Sequence, residues 1–284
     1  MSIDLSLADL GLPAETTSEL SAGHARLVRA TIGAATDHQA GDPLPLPWHW
    51  AYFPPDAPTA GLGEDGHPRL PEGSPVRPFP RRMWASGKLS APGQLVLGEP
   101  ATRHTAVTKV KETTGQSGDL VIVNLEHRYR QRGADQVVEE QTLVYRTPGP
   151  PAALPVGDVE PDVPAGGWAD RWLPSSPLLF RFSAVTFNSH RIHYDHPYAT
   201  AVEGYPALVV HGPLTALLVA ESARSRFPGG QEVRALAFRA SSPLFAELPF
   251  HIVGAPDDAG AAVRVLRNDG VEAVTATVGW DSDQ

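Results

Sequence analysis

Between Phe182 and Leu214 the chain reads FSAVTFNSHRIHYDHPYATAVEGYPALVVHGPL, and four of its eleven histidines fall there: His190, His193, His196 and His211. An imidazole titrates near 6.5, so it is the side chain best suited to take and return a proton near neutrality. Any one of the four, taken alone, reads equally well as a surface or hydrogen-bonded structural group. A metal site is the first chemistry to weigh, because His190, His193 and His196 recur every third residue with Asp195 among them. On a helix, positions i and i+3 share a face, but i+6 has rotated away, and Pro197 limits any continuing helix. A zinc enzyme also needs a further ligand and a carboxylate base nearby. No metal is expected. What remains is acid–base chemistry by the side chains themselves.

Such residues need a scaffold, and proline marks its divisions. One proline cluster runs from Pro43 to Pro80 with Trp48, Trp50, Tyr52, Phe53 and Phe79 among the prolines; a second runs from Pro148 to Pro177. The stretch TPGPPAALPVGDVEPDVPAGG is poor in aromatics and rich in Pro, Gly and Ala, which predicts a stiff solvated linker over 148–172 between units 1–147 and 173–284. In the first unit the spacing of Leu20, Leu27, Val28 and Ile32 predicts a helix over Ala14–Ala35, with Thr16, Thr17 and Ser18 as caps. Strand-type runs follow at Gln94–Leu97, Thr102–Glu112, Asp119–Tyr129 and Gln136–Tyr145. The third has one apolar and one nearly apolar face, so burial on both sides is expected. In the second unit Leu214–Ser225 reads as a core helix, apolar nearly all round. It precedes strand-type runs Val233–Ala240, Leu248–Val253, Ala262–Leu266 and Val271–Val278. One helix followed by antiparallel strands, twice over, predicts an α+β plan of a sheet wrapped on a central helix.

Composition narrows the function further. The chain has 284 residues, 42% of them hydrophobic, enough for a sizeable core. With 23 basic against 32 acidic residues and a net charge of -9, no nucleic-acid partner is expected. The absence of cysteine excludes thiolate metal sites and thiol nucleophiles. Gly 26 and Pro 29 lie above average usage but below that of disordered sequence. Met1–Gly11 has no basic segment leading into an apolar run, and no later stretch approaches ~20 apolar residues, so a cytoplasmic location without membrane contact is expected.

The segment Thr186–Asp195 resembles the active-site signature of the MaoC-like hydratases, the (R)-specific enoyl-thioester hydratase family. Asn188 stands where that signature has Asp, His190 where it has Asn, Arg191 where it has Pro, Ile192 at its aliphatic position and His193 at its catalytic His; Asp195 matches directly. Val209-Val210-His211-Gly212-Pro213 resembles the family's His-Gly segment at the start of the central hot-dog helix. The run HRIHYD with GYP and HGPL is similar to one branch, the mesaconyl-C4-CoA hydratase and 3-hydroxyacyl-thioester dehydratase group. Members of that group carry a FAS1-type dehydratase domain before the MaoC-like domain. PLPWHWAYF at Pro45–Phe53, Asp65-Gly66-His67-Pro68, Arg81–Gly87 and Glu139–Arg146 resemble that first domain.

The resemblance implies a double hot-dog fold, reversible hydration of an enoyl thioester, and no cofactor beyond the CoA of an acyl-CoA substrate. It implies His193 as the base and Asn188 as an amide that holds the water. The Gly212 N–H would receive the thioester oxygen, since first-turn N–H groups lack intrahelical partners and the helix dipole favours negative charge. His211 would fix the loop beside that donor, and Asp195 would orient an imidazole; His190 joins the residues that could contact substrate. Arg191 and Arg181 could bind a substrate carboxylate, against the plain reading of solvated arginines. PLPWHWAYF reads as a hydrophobic plug. Two other readings stand beside this one: a dehydratase of carrier-protein-bound 3-hydroxyacyl chains, and a non-catalytic hot-dog subunit that binds acyl-CoA, the latter motivated by Asn188. A chain with two hot-dog units can work as a monomeric pseudo-dimer or as a homodimer.

Overall fold

The computed structural model describes residues 3–115, 118–226, 232–258 and 260–280. The first half runs β1 (Glu15–Glu19), α1 (Ala22–Ile32), a long loop, then β2 (Arg81–Ser90), β3 (Pro100–Gly115), β4 (Gly118–Gln131) and β5 (Ala134–Arg146). The second runs β6 (Trp168–Trp172), α2 (Ser176–Thr186), α3 (Gly212–Arg226), β7 (Val233–Ala240), β8 (Phe250–Asp257), β9 (Gly260–Arg267) and β10 (Glu272–Trp280). All strands pair antiparallel in one sheet ordered β1-β3-β4-β5-β2-β7-β10-β9-β8-β6. Replacing each first-half strand by its second-half counterpart turns this order into its own mirror image. The seam is β2 on β7, from Ser86↔Arg239 to Ser90↔Ala235. This is the double hot-dog fold, with its two five-stranded sheets joined edge to edge.

The halves are unequal in their helices. α3 lies across β7, β8, β9 and β10 and is buried nearly all round, as its sequence requires. α1 packs on α2 instead of on a sheet, so its counterpart is α2, and among the described residues the first half has no equivalent of α3. In its place the aromatic loop packs against the first half's strands: Phe53 and His49 meet Tyr129 of β4, and Trp50 meets Trp84 of β2. Trp48 Nε1 donates to Glu221 Oε1 of α3 at 2.7 Å, and Arg224 donates to Leu46 O. One central helix therefore serves both halves.

Several boundaries differ from the sequence expectations. The stretch read as the start of the first helix is β1, paired with β3, and the cap of α1 is Ser21, which accepts from the His24 N–H; Thr16, Thr17 and Ser18 lie in the strand. Gln94–Leu97 is a loop held to the aromatic segment by the Leu44 N–H to Leu95 O bond, since its apolar residues are buried by the loop and not by a ladder. β6 lies inside the segment read as a linker, and 148–167 carries no helix or strand. Buried Asn268 tacks that segment down by donating to Pro155 O and Gly157 O. Of β4, Val121, Val123 and Leu125 are buried, whereas Leu120, Ile122 and Asn124 are half-buried. Among the described residues no helix is long and apolar enough to cross a membrane.

The aromatic loop is fastened by one buried carboxylate. Glu139 Oε2 accepts from Tyr129 Oη at 2.8 Å and Trp50 Nε1 at 3.1 Å, with His49 Nε2 at 3.5 Å. Burial alone would raise its pKa, but bonding to His49 and Tyr129 and the nearby His127 together hold it at about 2. Replacing Glu139 by Ala removes the acceptor that these donors share. A stability loss of about 3–5 kcal/mol is expected in urea unfolding; a loss under 1 kcal/mol would remove this carboxylate from the fold's foundations.

Candidate active site

The catalytic-type turn is built from the end of α2. Ser175 caps that helix and Pro177 occupies its first turn. At the other end Phe187 takes a left-handed conformation (φ 51) as its N–H bonds Ala184 O, and the Asn188 N–H closes on Ser183 O. Asn188 Oδ1 then accepts the His190 N–H at 3.0 Å, and Asn188 Nδ2 has no partner among the described residues. The chain passes into a 3-10 turn, Arg191–His193, and buries His193.

His193 Nδ1 lies 2.7 Å from Val209 O, so this nitrogen carries the proton and Nε2 is the bare one. Its position is doubly fixed, because the Val209 N–H in turn bonds Ile192 O. His211 stacks on His193 with ring centroids 3.6 Å apart and meets Ser183 Oγ through Nε2 at 2.9 Å. Gly212 follows immediately and opens α3, one position before Pro213, with Trp84 O of β2 as its neighbour across the seam. The His193 ring is thus packed on the residue that precedes the helix N-terminus, and Asn188 lies on the turn that leads into His193.

The other expected residues are placed differently. Asp195 orients no imidazole: Oδ2 accepts from the Arg191 guanidinium at 2.8 Å and Oδ1 from the Tyr198 N–H. Arg191 also donates to Glu64 O and lies over the Tyr198 ring, so its charge is engaged within the protein. Arg181 is exposed on α2, and His196 is exposed after the turn.

The first half supplies residues that the sequence pattern did not single out. Arg191 N–H donates to Asp65 O, and Ser189 Oγ donates to Gly66 O at 2.6 Å, which docks the Asp65–His67 loop on the His190 turn. The His67 and His190 rings are 4.0 Å apart, and His190 is 5.3 Å from His193. Asp65 Oδ2 lies 2.9 Å from His67 Nδ1. Asp65, His67 and His190 each bring a ligand atom within 4.8 Å of the others, a set that could hold a metal by spacing alone. The Asp65 oxygen, however, is already taken by the His67 ring N–H. The legible signal was the DGHP segment, whose residue types matter only once the loop is docked.

Beside His67 opens a cleft of about 410 Å³ lined by Arg69, Arg77, Arg81, Arg82, Tyr145 and Tyr198, among others. Arg81 is bound to Glu203 and Val202 O, and Arg69 to Leu62 O. Arg77 is exposed, while half-buried Arg82 has no hydrogen-bond or ion-pair partner among the described residues and acts electrostatically on Asp65, His67 and His190.

A model of the family "Hydroxyacyl-thioester dehydratase type 2" matches residues 47–246, through both halves and the site between them. The chain belongs to this family. It is accordingly a hydro-lyase that adds water to, or removes it from, a thioester-bound acyl group. Within the same group, the chain is 38% identical over 276 residues to the mesaconyl-C(4)-CoA hydratase of Chloroflexus aurantiacus, covering 96% of each chain. It is 29% identical to the mitochondrial hydroxyacyl-thioester dehydratase type 2 of Schizosaccharomyces pombe, over 72% of this chain and 75% of that one. The crystal structure of HtdX from Mycobacterium tuberculosis shares the fold at a TM-score of 0.67 and 17% identity, covering 94% of this chain and 99% of that one.

In this family member the imidazoles are kept neutral. Burial pushes His193 and His67 down to about 4, and Arg82 adds to the effect on His67 against the opposing pull of Asp65. Burial, reinforced by neighbouring imidazoles, drives His190 and His211 well below 6.5. In the unfolded chain each titrates near 6.5, so between about 6.5 and 4 the unfolded state binds protons that the folded state does not. Their contribution to stability is full above 6.5 and falls as the pH is lowered, that of His193 and His67 being lost as the pH falls through 4. Thermal unfolding followed by circular dichroism should show a Tm that falls steeply across that window; a Tm flat from pH 7 to 4 would contradict neutral buried imidazoles.

Proposed function

We propose that the chain adds water reversibly to an enoyl-CoA whose acyl group carries a carboxylate, the mesaconyl-C4 class of substrate. The observation that carries this reading is Arg82: a half-buried guanidinium without a partner among the described residues, on the same cleft as His67. A guanidinium takes a carboxylate in a two-pronged, charge-assisted fork. The 38% identity to a mesaconyl-C(4)-CoA hydratase supports the same acyl class.

The reaction needs water aimed at the β-carbon, a base, and a holder for the oxygen that gains charge. His193 Nε2 takes a proton from the water as its oxygen bonds to the β-carbon. Asn188 Nδ2 donates to that water and fixes it without exchanging a proton. The π electrons move through the α-carbon onto the thioester oxygen, which the Gly212 N–H receives at the helix N-terminus. The α-carbon then takes the proton back, and dehydration retraces the same steps. His211 supports the His193 ring by stacking.

Two measurements test this. His193→Ala should lower kcat on enoyl-CoA esters by ~10²–10⁴-fold; turnover within a few-fold of wild type would instead favour a non-catalytic acyl-CoA-binding role for this turn. Arg82→Gln should cut kcat/KM for mesaconyl-C4-CoA by roughly 10–100-fold, the worth of a hydrogen bond to a charged group, and leave crotonyl-CoA unchanged. Equal losses on both esters would remove Arg82 from carboxylate recognition. Inactivity on every CoA ester, with turnover of carrier-protein-bound 3-hydroxyacyl chains, would reassign the substrate to a carrier protein.

A further inference from the structure

The position at which the MaoC-like signature has a carboxylate is Asn188, and its Oδ1 is committed to the His190 N–H. The nearest acidic residue on the same turn, Asp195, is ion-paired with Arg191. The turn that carries His190 and His193 therefore offers no free carboxylate to back an imidazole. The first half does. Asp65 Oδ2 meets His67 Nδ1 at 2.9 Å, and Asp65 Oδ1 accepts the His67 backbone N–H at 3.0 Å, so one carboxylate fixes both the ring and the loop that carries it. With the proton held on Nδ1, the His67 Nε2 is a bare acceptor; it has no hydrogen-bond partner among the described residues, and His67 lines the cleft. His67 is joined to His193 through His190, whose ring centroid lies 4.0 Å from that of His67 and 5.3 Å from that of His193.

We propose that His67 is a second catalytic residue, contributed by the first half, and that Asp65 is its positioning residue. This rests on the hydration chemistry set out above. A water molecule has two hydrogens and two lone pairs. His193 Nε2 accepts one O–H and His67 Nε2 the other, while Asn188 Nδ2 donates to one lone pair. The remaining lone pair faces the β-carbon. One O–H bond breaks toward His193, the new C–O bond forms, and the same proton closes the cycle at the α-carbon, so no co-reactant is needed. Asp65 keeps the His67 tautomer that accepts; the other tautomer would turn an N–H toward the water and disorient it.

The test compares single variants in the intact chain. His67→Ala should lower kcat by ~10²-fold with KM changed only a few-fold, and added free imidazole should restore part of the rate, because the space left opens on the cleft. His67→Gln, whose amide oxygen can accept the same O–H, should lose less than His67→Ala. Asp65→Asn should lower kcat without rescue by imidazole. A fold defect would lower Tm and would not respond to imidazole or to Gln. The inference is overturned if His67→Ala, with a wild-type Tm, keeps kcat within three-fold while His193→Ala is inactive, an outcome that leaves the hydratase reading intact. It is also overturned if chelation abolishes activity and a divalent metal restores it, since Asp65 and His67 would then act as ligands. Full activity in both His67→Ala and His193→Ala would overturn the hydratase assignment of the site itself.

Discussion

Gly66 has no side chain, and the carbonyl oxygen of Ser189 lies 1.9 Å from where its Cβ would be. Its φ of +87° adds a second demand for glycine. Everything at the site depends on this close approach of two loops from opposite halves. It brings Arg191 N–H to Asp65 O and Ser189 Oγ to Gly66 O, and it sets the His67 ring 4.0 Å from His190. The Arg191–Asp195 pair belongs to the same junction: Asp195 orients the guanidinium and the guanidinium grips Glu64 O. Half-exposed ion pairs of this kind add little to stability, so their value here is in geometry.

Behind the junction, the folding core and the chemistry share one helix. α3 is buried against its own sheet, receives the aromatic loop of the first half through Trp48 and Leu46, and presents Gly212 to the site. The strand order repeats symmetrically about β2 and β7, but the helices do not. The first half has an aromatic loop where the second has α3, and hence no helix N-terminus at the equivalent place among the described residues. The symmetry of the sheet is therefore not matched by a second central-helix N-terminus among the described residues. Under the proposed mechanism each half holds a different share of the chemistry: the second His193, Asn188 and Gly212, the first the Asp65–His67 pair and Arg82.

Burial of uncharged imidazoles links the site to stability. His190, His193 and His211 are each buried, and the pairing available to them is with neutral groups: Val209 O for His193 and Ser183 Oγ for His211. Burial penalises the charged form of each ring, and neither Val209 O nor Ser183 Oγ offers a full counter-charge to His193 or His211, so these rings stay neutral at neutral pH. His67 differs in having Asp65 against its ring, so a proton arriving there meets an anion.

Much of this was legible in the chain itself, where the information is local. Alternating apolar residues marked β3, β4, β5 and β7 to β10, the run Leu214–Ser225 marked α3, and the HRIHYD and HGP segments marked the turn and the helix start. Shorter or less apolar pieces escaped: β1 reads ETTSE with no apolar residue, β2 is held between neighbours on both sides instead of by its own alternation, and α2 lay hidden behind Pro177. Arg191, Arg181 and Asp195 carried the right chemistry for a site, yet the fold uses the first and last on each other and leaves Arg181 in solvent. Asp65, His67 and Arg82 could be named as residues of a family-like first half, but not as neighbours of His190, which lies 123 residues beyond His67. Side-chain types and helix or strand period are properties of adjacent residues, so sequence alone determined them. Which carboxylate faces which imidazole depends on two loops packed so closely at Gly66 that a Cβ there would lie 1.9 Å from Ser189 O, and only the tertiary structure decides that.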